Sequence, residues 1–185
     1  MTWLIVVLVV VVLVVIGALA MTQMRSRSLK QRFGPEYDRL VEEEGDRRRA
    51  EAELSERVKR RDALEIEDLD PDALQAYTEE WRVVQERFID DPRQTVAEAD
   101  SLVQRVMRDR GYPVDQFDER IEMVTVDHPE LADNYRVAHA IQERSEQDEA
   151  STDDLRDAFQ RYRSLFAELL SESDHHDEIP ERGER

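Results

Sequence analysis

The first 24 residues contain no charged side chain, and most of them are valine, leucine, isoleucine or alanine. As a helix rising about 1.5 Å per residue, the run from Trp3 to Ala20 would span roughly 27 Å, close to the ~30 Å hydrocarbon core of a bilayer. An isolated apolar segment in lipid can satisfy its backbone hydrogen bonds only as a helix. The pattern therefore predicts a transmembrane anchor over residues 1–24.

A cleaved signal peptide is the alternative, because Ala18-Leu19-Ala20 has the small-x-small form of a cleavage site. The absence of a positively charged n-region and the length of the apolar run favour an anchor.

Four basic residues follow the apolar run before the first acidic residue, Glu36. Under the positive-inside rule, they predict a single-pass protein of the cell (inner) membrane, with its amino terminus outside and its domain in the cytoplasm. An extracytoplasmic or secreted domain is the alternative. The four basic residues are Arg25, Arg27, Lys30 and Arg32.

Residues 25–66 form a highly charged juxtamembrane segment with only a thin apolar stripe. Gly34-Pro35 favours a helix start, and the pattern predicts one long charged helix from Pro35 to about Arg61, roughly 40 Å in length. Gly45 lies within this pattern, and a glycine inside a helix lowers the stability of the helix by about 1 kcal/mol relative to alanine. A helix this polar stands as a stalk, folds back, or pairs with a second copy. The sequence leaves these alternatives open.

Residues 67–170 carry apolar side chains at alternating three- and four-residue spacings, which predicts an acidic bundle of about four to five helices. Asp70-Pro71, Asp91-Pro92 and Asp127-His128-Pro129 are typical of helix starts, Gly111 of a helix end, and Ser151 to Asp154 of a capping box. No segment alternates with the period of a strand, so the fold is predicted to be all-α. The predicted core positions are Leu74, Tyr77, Trp81, Val84, Phe88, Val96, Ala99, Leu102, Val103, Val106, Phe117, Ile121, Val124, Leu131, Tyr135, Ala138, Ile141, Leu155, Phe159, Tyr162, Leu165, Phe166 and Leu169.

The charge of the chain is divided between its parts. The net charge is −18, but Arg25 to Arg61 carries 12 basic and 9 acidic residues, whereas Asp62 onward carries 14 basic and 35 acidic ones. So acidic a domain repels phosphate backbones, and binding to nucleic acid is not expected. The acidic, polar residues 171–185 are predicted to be disordered. Cysteine is absent, which excludes disulfides and thiolate chemistry.

The sequence contains no nucleotide-binding, nucleophile-elbow or metalloprotease motif. His175-His176 lies in the acidic tail with no ligand spacing around it, so no metal and no cofactor are expected. Carboxylates are too abundant for any pair to stand out as an acid–base pair. We therefore predict a protein that is not an enzyme. Aromatic, basic and histidine side chains near the helix junctions form the candidate interaction surface: Tyr112, His128, Tyr135, Arg136 and His139.

Several phrases of the sequence occur in the same order in a known group of proteins. Together, over about residues 30–170, they resemble an uncharacterised family of small single-pass bacterial proteins, common in actinobacteria and described as secreted or membrane proteins. The resemblance implies a membrane or envelope protein. No activity, cofactor or catalytic residue is established for that family, so none is transferred. The phrases are Arg32–Asp38, Gly45–Arg48, Trp81–Phe88 with Asp90-Asp91-Pro92, Arg110–Val114, Asp127-His128-Pro129 and Asn134–His139.

These observations favour a membrane-tethered, non-enzymatic interaction or scaffold module whose partners are the bilayer and another protein. One alternative is a structural homo-oligomer assembled through the helix predicted over residues 35–61. Another is a small-ligand receptor or hydrolase built on the bundle. That last hypothesis requires Tyr135, Arg136 and His139 to converge on an apolar pocket.

Overall fold

The computed structural model describes Trp3, Leu13, Ile16, Met21 and residues 23–174, and for residues 172–174 only the backbone. All regular structure within this part of the chain is helical, which confirms the all-α prediction. The described part of α1 covers residues 23–33. The helices that follow are α2 (Pro35–Glu44), α3 (Arg47–Asp62), α4 (Pro71–Arg87), α5 (Pro92–Asp109), α6 (Phe117–Asp127), α7 (Ala132–Glu146) and α8 (Thr152–Asp174).

Most of the predicted anchor, residues 1–24, lies outside the described residues. Among the residues that are described, no helix is both long enough and apolar enough to cross a membrane. The isolated positions that are described in this segment are helical and carry large exposed apolar side chains. They are Trp3, Leu13, Ile16 and Met21.

The chain comprises two compact units, Met1–Lys59 and Arg60–Arg185. In the first unit, the prediction of one continuous helix over residues 35–61 is wrong. Helix α2 ends at Gly45, whose φ of 63° is the left-handed conformation that glycine adopts without steric cost. Asp46 then starts α3, because its carboxylate accepts hydrogen bonds from the backbone N–H groups of Arg48 and Arg49 at 2.7 and 3.1 Å.

Helices α2 and α3 contact each other, so the segment folds back within the first unit. The Tyr37 hydroxyl donates a hydrogen bond to Glu51 Oε1 at 2.7 Å. Arg57 pairs with the buried carboxylate of Glu36 at 3.4 Å. Three of the five apolar side chains of the predicted stripe are buried, namely Tyr37, Leu40 and Leu54, as are Leu29 and Phe33 of α1. The other two, Val41 and Val58, are partly buried.

The second unit has the predicted helical bundle. Asp70 caps α4 by accepting hydrogen bonds from the backbone N–H groups of Asp72 and Ala73, each at 3.0 Å. Asp91 caps α5 in the same way, through the backbone N–H of Gln94 at 3.1 Å. All the predicted core positions are buried or partly buried. Helix α8 packs on α5 and α7, and its Phe159 and Phe166 rings stack on Trp81 of α4 at centroid distances of 5.2 and 4.5 Å.

Two predicted helix boundaries in this unit differ from the structure. Asp127-His128-Pro129 ends α6 instead of opening α7, because the His128 N–H donates to the Val124 carbonyl at 2.8 Å. A turn follows, and α7 begins at Ala132. Helix α8 continues to Asp174, so residues 171–174 of the tail predicted to be disordered are helical. Residues 175–185 lie outside the described part of the chain.

Candidate functional site

The turn after α5 meets the end of α6 through a buried tyrosine. The Tyr112 hydroxyl donates a hydrogen bond to Asp127 Oδ2 at 2.7 Å. Arg61 Nε donates to both oxygens of the same carboxylate at 2.8 Å. Burial opposes the charge of the Arg61 guanidinium, but the hydrogen bond and the negative charge of Asp127 raise its pKa above the ordinary value. Asp127 is therefore held as an ion pair between the turn and the last residues of α3.

Gly111 brings this turn against the connection between α3 and α4. Its φ is 95°, and a Cβ atom at this position would overlap the carbonyl oxygen of Glu65. A glycine is needed here on two grounds, the positive φ and the close approach of another backbone. The connection also forms a backbone hydrogen bond to the turn, from the Glu67 N–H to the Arg110 carbonyl at 3.0 Å.

Arg110 links three parts of the second unit, although it is only 4% exposed. Its Nε donates to the Glu67 carbonyl at 3.3 Å, and its Nη1 donates to the Leu169 carbonyl of α8 at 3.0 Å. Asp68 lies 3.7 Å from Nη2 and supplies a counter-charge. A buried guanidinium is tolerated when its donors are satisfied in this way. Arg110 thus fixes the position of α8 relative to the turn after α5.

His128 faces the same region of α8. Its imidazole is 3% exposed, and Nδ1 lies 3.9 Å from Glu168 Oε1. Glu130, two residues further along the turn, contributes a second carboxylate. One ligand atom from each of these three residues lies within 4.8 Å of the other two. We call this group the His–Glu cluster.

Tyr135 lies in the apolar core of the second unit and is not part of the contacts around Asp127 and His128. It is fully buried, and its hydroxyl accepts a hydrogen bond from Arg120 Nε at 2.9 Å. Burial, with a smaller contribution from the charge of Asp100, raises the pKa of Tyr135 to about 12. Arg120 also donates to the Val114 carbonyl. The pair satisfies polar groups inside the bundle and is not presented to solvent.

Arg136 and His139 lie on α7, and the side chain of each is only 19% exposed. Arg136 pairs with Asp133 one helical turn earlier, at 3.0 Å. His139 stacks on Phe117 with a centroid distance of 3.8 Å and lies 3.7 Å from Glu143. Of the five residues predicted to form the interaction surface, Tyr112 and His128 therefore lie where the turn after α5, the end of α6 and α8 meet. Tyr135 and His139 both contact the ring of Phe117, at centroid distances of 5.1 and 3.8 Å, whereas Arg136 pairs with Asp133.

An open cleft of about 380 Å³ lies between α4 and α5 and was not anticipated from the sequence. Its lining combines apolar side chains, Val83, Val84 and Ala97, with charged ones, Glu80, Arg87, Glu98 and Arg105. Arg87 pairs with Glu98 across the cleft at 3.3 Å, and Arg105 pairs with Glu80. Ile89, in the turn that joins the two helices, is 90% exposed.

Sequence reasoning missed two further features of this unit, the proximity of Glu168 to His128 and the exposed Ile89. Glu168 was not linked to His128 because the residues are far apart in the chain, and helical periodicity says nothing about which distant polar residues meet. The spacing of His128 and Glu130 is a weak local signal of a ligand pair, since His-x-Glu occurs widely by chance. Ile89 follows the apolar stripe of α4. The helix start that Asp91-Pro92 predicts soon after it indicates that Ile89 lies in a turn.

No protein-family model, no curated protein and no solved structure matches this chain, so the resemblance to small bacterial membrane proteins stays a prediction.

Proposed function

We propose that this protein is a membrane-tethered, non-enzymatic helical interaction module. Residues 1–24 anchor it in the bilayer. The α4–α5 cleft and Ile89 form the surface that binds a protein partner. The cleft is the observation that carries this proposal, because its apolar side chains lie among charged ones, and an apolar centre with a polar rim is the usual composition of a protein-binding surface.

The anchor is supported by composition and by the few described residues of the segment. No charge occurs in residues 1–24, and five large apolar side chains described there are between 56 and 75% exposed. Exposing so many large apolar groups to water is unfavourable, at about 25 cal/mol for each Å². A surrounding bilayer removes that cost. Anchoring also raises the effective concentration of the module near other membrane proteins, so that a weak interface suffices.

The lining of the cleft determines the kind of partner that fits. The partly buried Val83 and Ala97 offer apolar contact area, while acidic and basic side chains both line the same cleft. A partner segment with apolar side chains at its centre and charged ones at its edges would match this arrangement. The predicted surface residues Tyr112, His128 and Tyr135 are buried and have little area to offer.

Neither alternative function has a specific observation in its favour. A homo-oligomer through residues 35–61 would need an exposed apolar stripe, but Tyr37, Leu40 and Leu54 are buried, and Val41 and Val58 are only partly exposed. A receptor or hydrolase built around Tyr135, Arg136 and His139 would need these side chains to converge. In the described structure Tyr135 bonds to Arg120, Arg136 to Asp133, and His139 stacks on Phe117.

A photo-crosslinking experiment in the native membrane tests the partner surface. A photoreactive phenylalanine analogue would replace Ile89 in the full-length protein and, as a matched control, Val137, which is 38% exposed on α7. We expect a discrete heterologous adduct from position 89 and none from position 137. The adduct should decrease at least fivefold when Val83→Asp places a charge in the cleft.

Three outcomes would overturn the proposed surface. Equal labelling from both positions would mean that the adduct reports random encounters. An adduct with the mass of two copies would favour the homo-oligomer instead. An adduct that persists unchanged with Val83→Asp would place the partner elsewhere on the unit.

A further inference from the structure

The geometry points to a binding site for a divalent transition-metal ion of the Zn²⁺ class at the His–Glu cluster of His128, Glu130 and Glu168. The cluster offers one imidazole nitrogen and two carboxylate groups, all from the second unit. This inference does not depend on the proposed partner surface, which lies on α4 and α5.

The distances suit an ion bound after small side-chain movements. Ligand atoms bonded to one zinc ion at ~2.0–2.2 Å lie roughly 3.3 Å from each other in tetrahedral geometry. The corresponding atoms lie within 4.8 Å here, and His128 Nδ1 is 3.9 Å from Glu168 Oε1. Closing these gaps requires rotamer shifts of the two glutamates. Glu130 is exposed and the Glu168 side chain is 47% exposed, so both have room to move.

The histidine is already positioned. The backbone on both sides of His128 is fixed, because its N–H donates to the Val124 carbonyl at 2.8 Å and its carbonyl accepts from the Leu131 N–H at 2.9 Å. Glu168 lies between Leu165 and Leu169, which are both fully buried, so the α8 backbone at this position is anchored in the core. The buried, pre-positioned histidine loses little side-chain entropy on binding an ion, so the entropic cost of ordering falls on the two glutamates.

The charge balance favours a cation. Glu130 and Glu168 bring two negative charges to the imidazole, and within the described residues neither forms an ion pair with lysine or arginine. The nearby guanidinium of Arg61 is engaged with Asp127, and that of Arg110 with the Leu169 carbonyl. A divalent ion would neutralise the two carboxylates and remove their mutual repulsion.

The donor set selects the class of ion. Imidazole is a common ligand of Zn²⁺ and related first-row ions, whereas Ca²⁺ and Mg²⁺ prefer oxygen donors. Three protein ligands leave one coordination position of a tetrahedral ion for water or for a group from a partner. Because the ligands come from the turn after α6 and from α8, a bound ion would hold these two segments together.

Zinc titration of the full-length protein in detergent tests the site. His175→Gln and His176→Gln are introduced throughout, because this pair could bind zinc independently. A chromophoric chelator reports competition for ZnCl₂, and the protein carries no histidine tag. We expect one equivalent of Zn²⁺ to bind, and at least a tenfold loss of affinity with Glu168→Gln and with Glu130→Gln, as metal-site substitutions commonly give.

Glu143→Gln is the matched control, since Glu143 lies 3.7 Å from His139 in a histidine–glutamate pair outside the cluster. We expect this variant to bind zinc like the parent. The test uses the glutamate variants because substitution of the buried His128 risks preventing the protein from folding. Zinc binding that is insensitive to both glutamate substitutions, or that millimolar Ca²⁺ displaces, would overturn the site, and so would the absence of binding.

Discussion

Three consecutive residues at the end of α5 show how single side chains fix the second unit. Arg110 bonds to the carbonyl of Leu169 in α8, Gly111 allows the Glu65 backbone to approach, and Tyr112 bonds to Asp127 at the end of α6. Each contact joins segments that are distant in sequence. The short phrase Arg-Gly-Tyr therefore positions the α3–α4 connection, α6 and α8 around one turn.

Replacing Gly111 by alanine tests the closest of these contacts. The positive φ costs a non-glycine residue about 1–3 kcal/mol, and the overlap of its Cβ with the Glu65 carbonyl adds packing strain of similar size. We expect Gly111→Ala to lower the free energy of unfolding by roughly 2–4 kcal/mol. Urea unfolding followed by Trp81 fluorescence, in a Trp3→Phe background that leaves one tryptophan, measures this change.

Gly111→Asn separates the two causes of that loss. Asparagine tolerates positive φ better than alanine does, but its Cβ meets the same carbonyl oxygen. We expect asparagine to be about as destabilising as alanine because the contact dominates. A clear recovery of stability with asparagine would show that the backbone conformation, not the approach of Glu65, makes glycine necessary.

At the scale of whole helices, side-chain caps set the starts of α3, α4, α5 and α8. Asp46, Asp70 and Asp91 each accept backbone N–H groups at the start of a helix. Ser151 and Asp154 form a reciprocal pair at the start of α8: the Asp154 N–H donates to Ser151 Oγ at 3.2 Å, and the Ser151 N–H donates to Asp154 Oδ2 at 2.9 Å. The capping box predicted from the sequence is confirmed.

Removal of that cap should destabilise the second unit, because α8 packs on both α5 and α7. Ser151→Ala leaves the Asp154 N–H without its acceptor, and we expect a loss of about 1 kcal/mol in the free energy of unfolding. Ser164→Ala is the matched control. Its hydroxyl bonds only to the Gln160 carbonyl on an exposed face of the same helix, so alanine should be neutral or slightly stabilising. Equal losses in the two variants would contradict a capping role.

At the scale of the whole molecule, the two units are stabilised by different interactions. The second unit has a large apolar core. Among its described residues, the first has a few buried apolar side chains and a polar network in which Glu51 accepts hydrogen bonds from Ser26, Tyr37 and Arg47. Burial acts in the opposite direction, but these hydrogen bonds lower the pKa of Glu51 below its ordinary value. Folding of the first unit therefore depends more strongly on polar contacts.

The predicted orientation of the chain in the membrane also concerns the whole molecule. Because the sequence has no cysteine, Ser173→Cys provides one defined labelling site. We expect a membrane-impermeant maleimide to label the full-length protein only after cell lysis, as the basic residues that follow residue 24 predict. Labelling of intact cells at full length would place the domain outside the cytoplasm. A shortened labelled band would instead indicate cleavage near Ala20.

Much of the second unit could be predicted from short stretches of sequence. The proline-marked starts of α4 and α5, the stop at Gly111 and the core positions agree with the structure because hydrophobic period and capping are local properties. The prediction that Asp127-His128-Pro129 opens a helix was wrong. The same residues that could cap a following helix instead close the preceding one, and only the packing of α6 and α7 decides between them.

The sequence by itself determined the helical character of this protein, most of its core, and its division into an uncharged start, a slightly basic segment and an acidic domain. Those properties depend on neighbours within one or two helical turns. Tertiary structure decided that α2 and α3 fold together at Gly45, that Tyr112 and His128 are buried, and that Glu168 lies beside His128. Such contacts depend on how whole helices pack against each other, and an amphipathic period marks the face that is buried but not the helix that covers it.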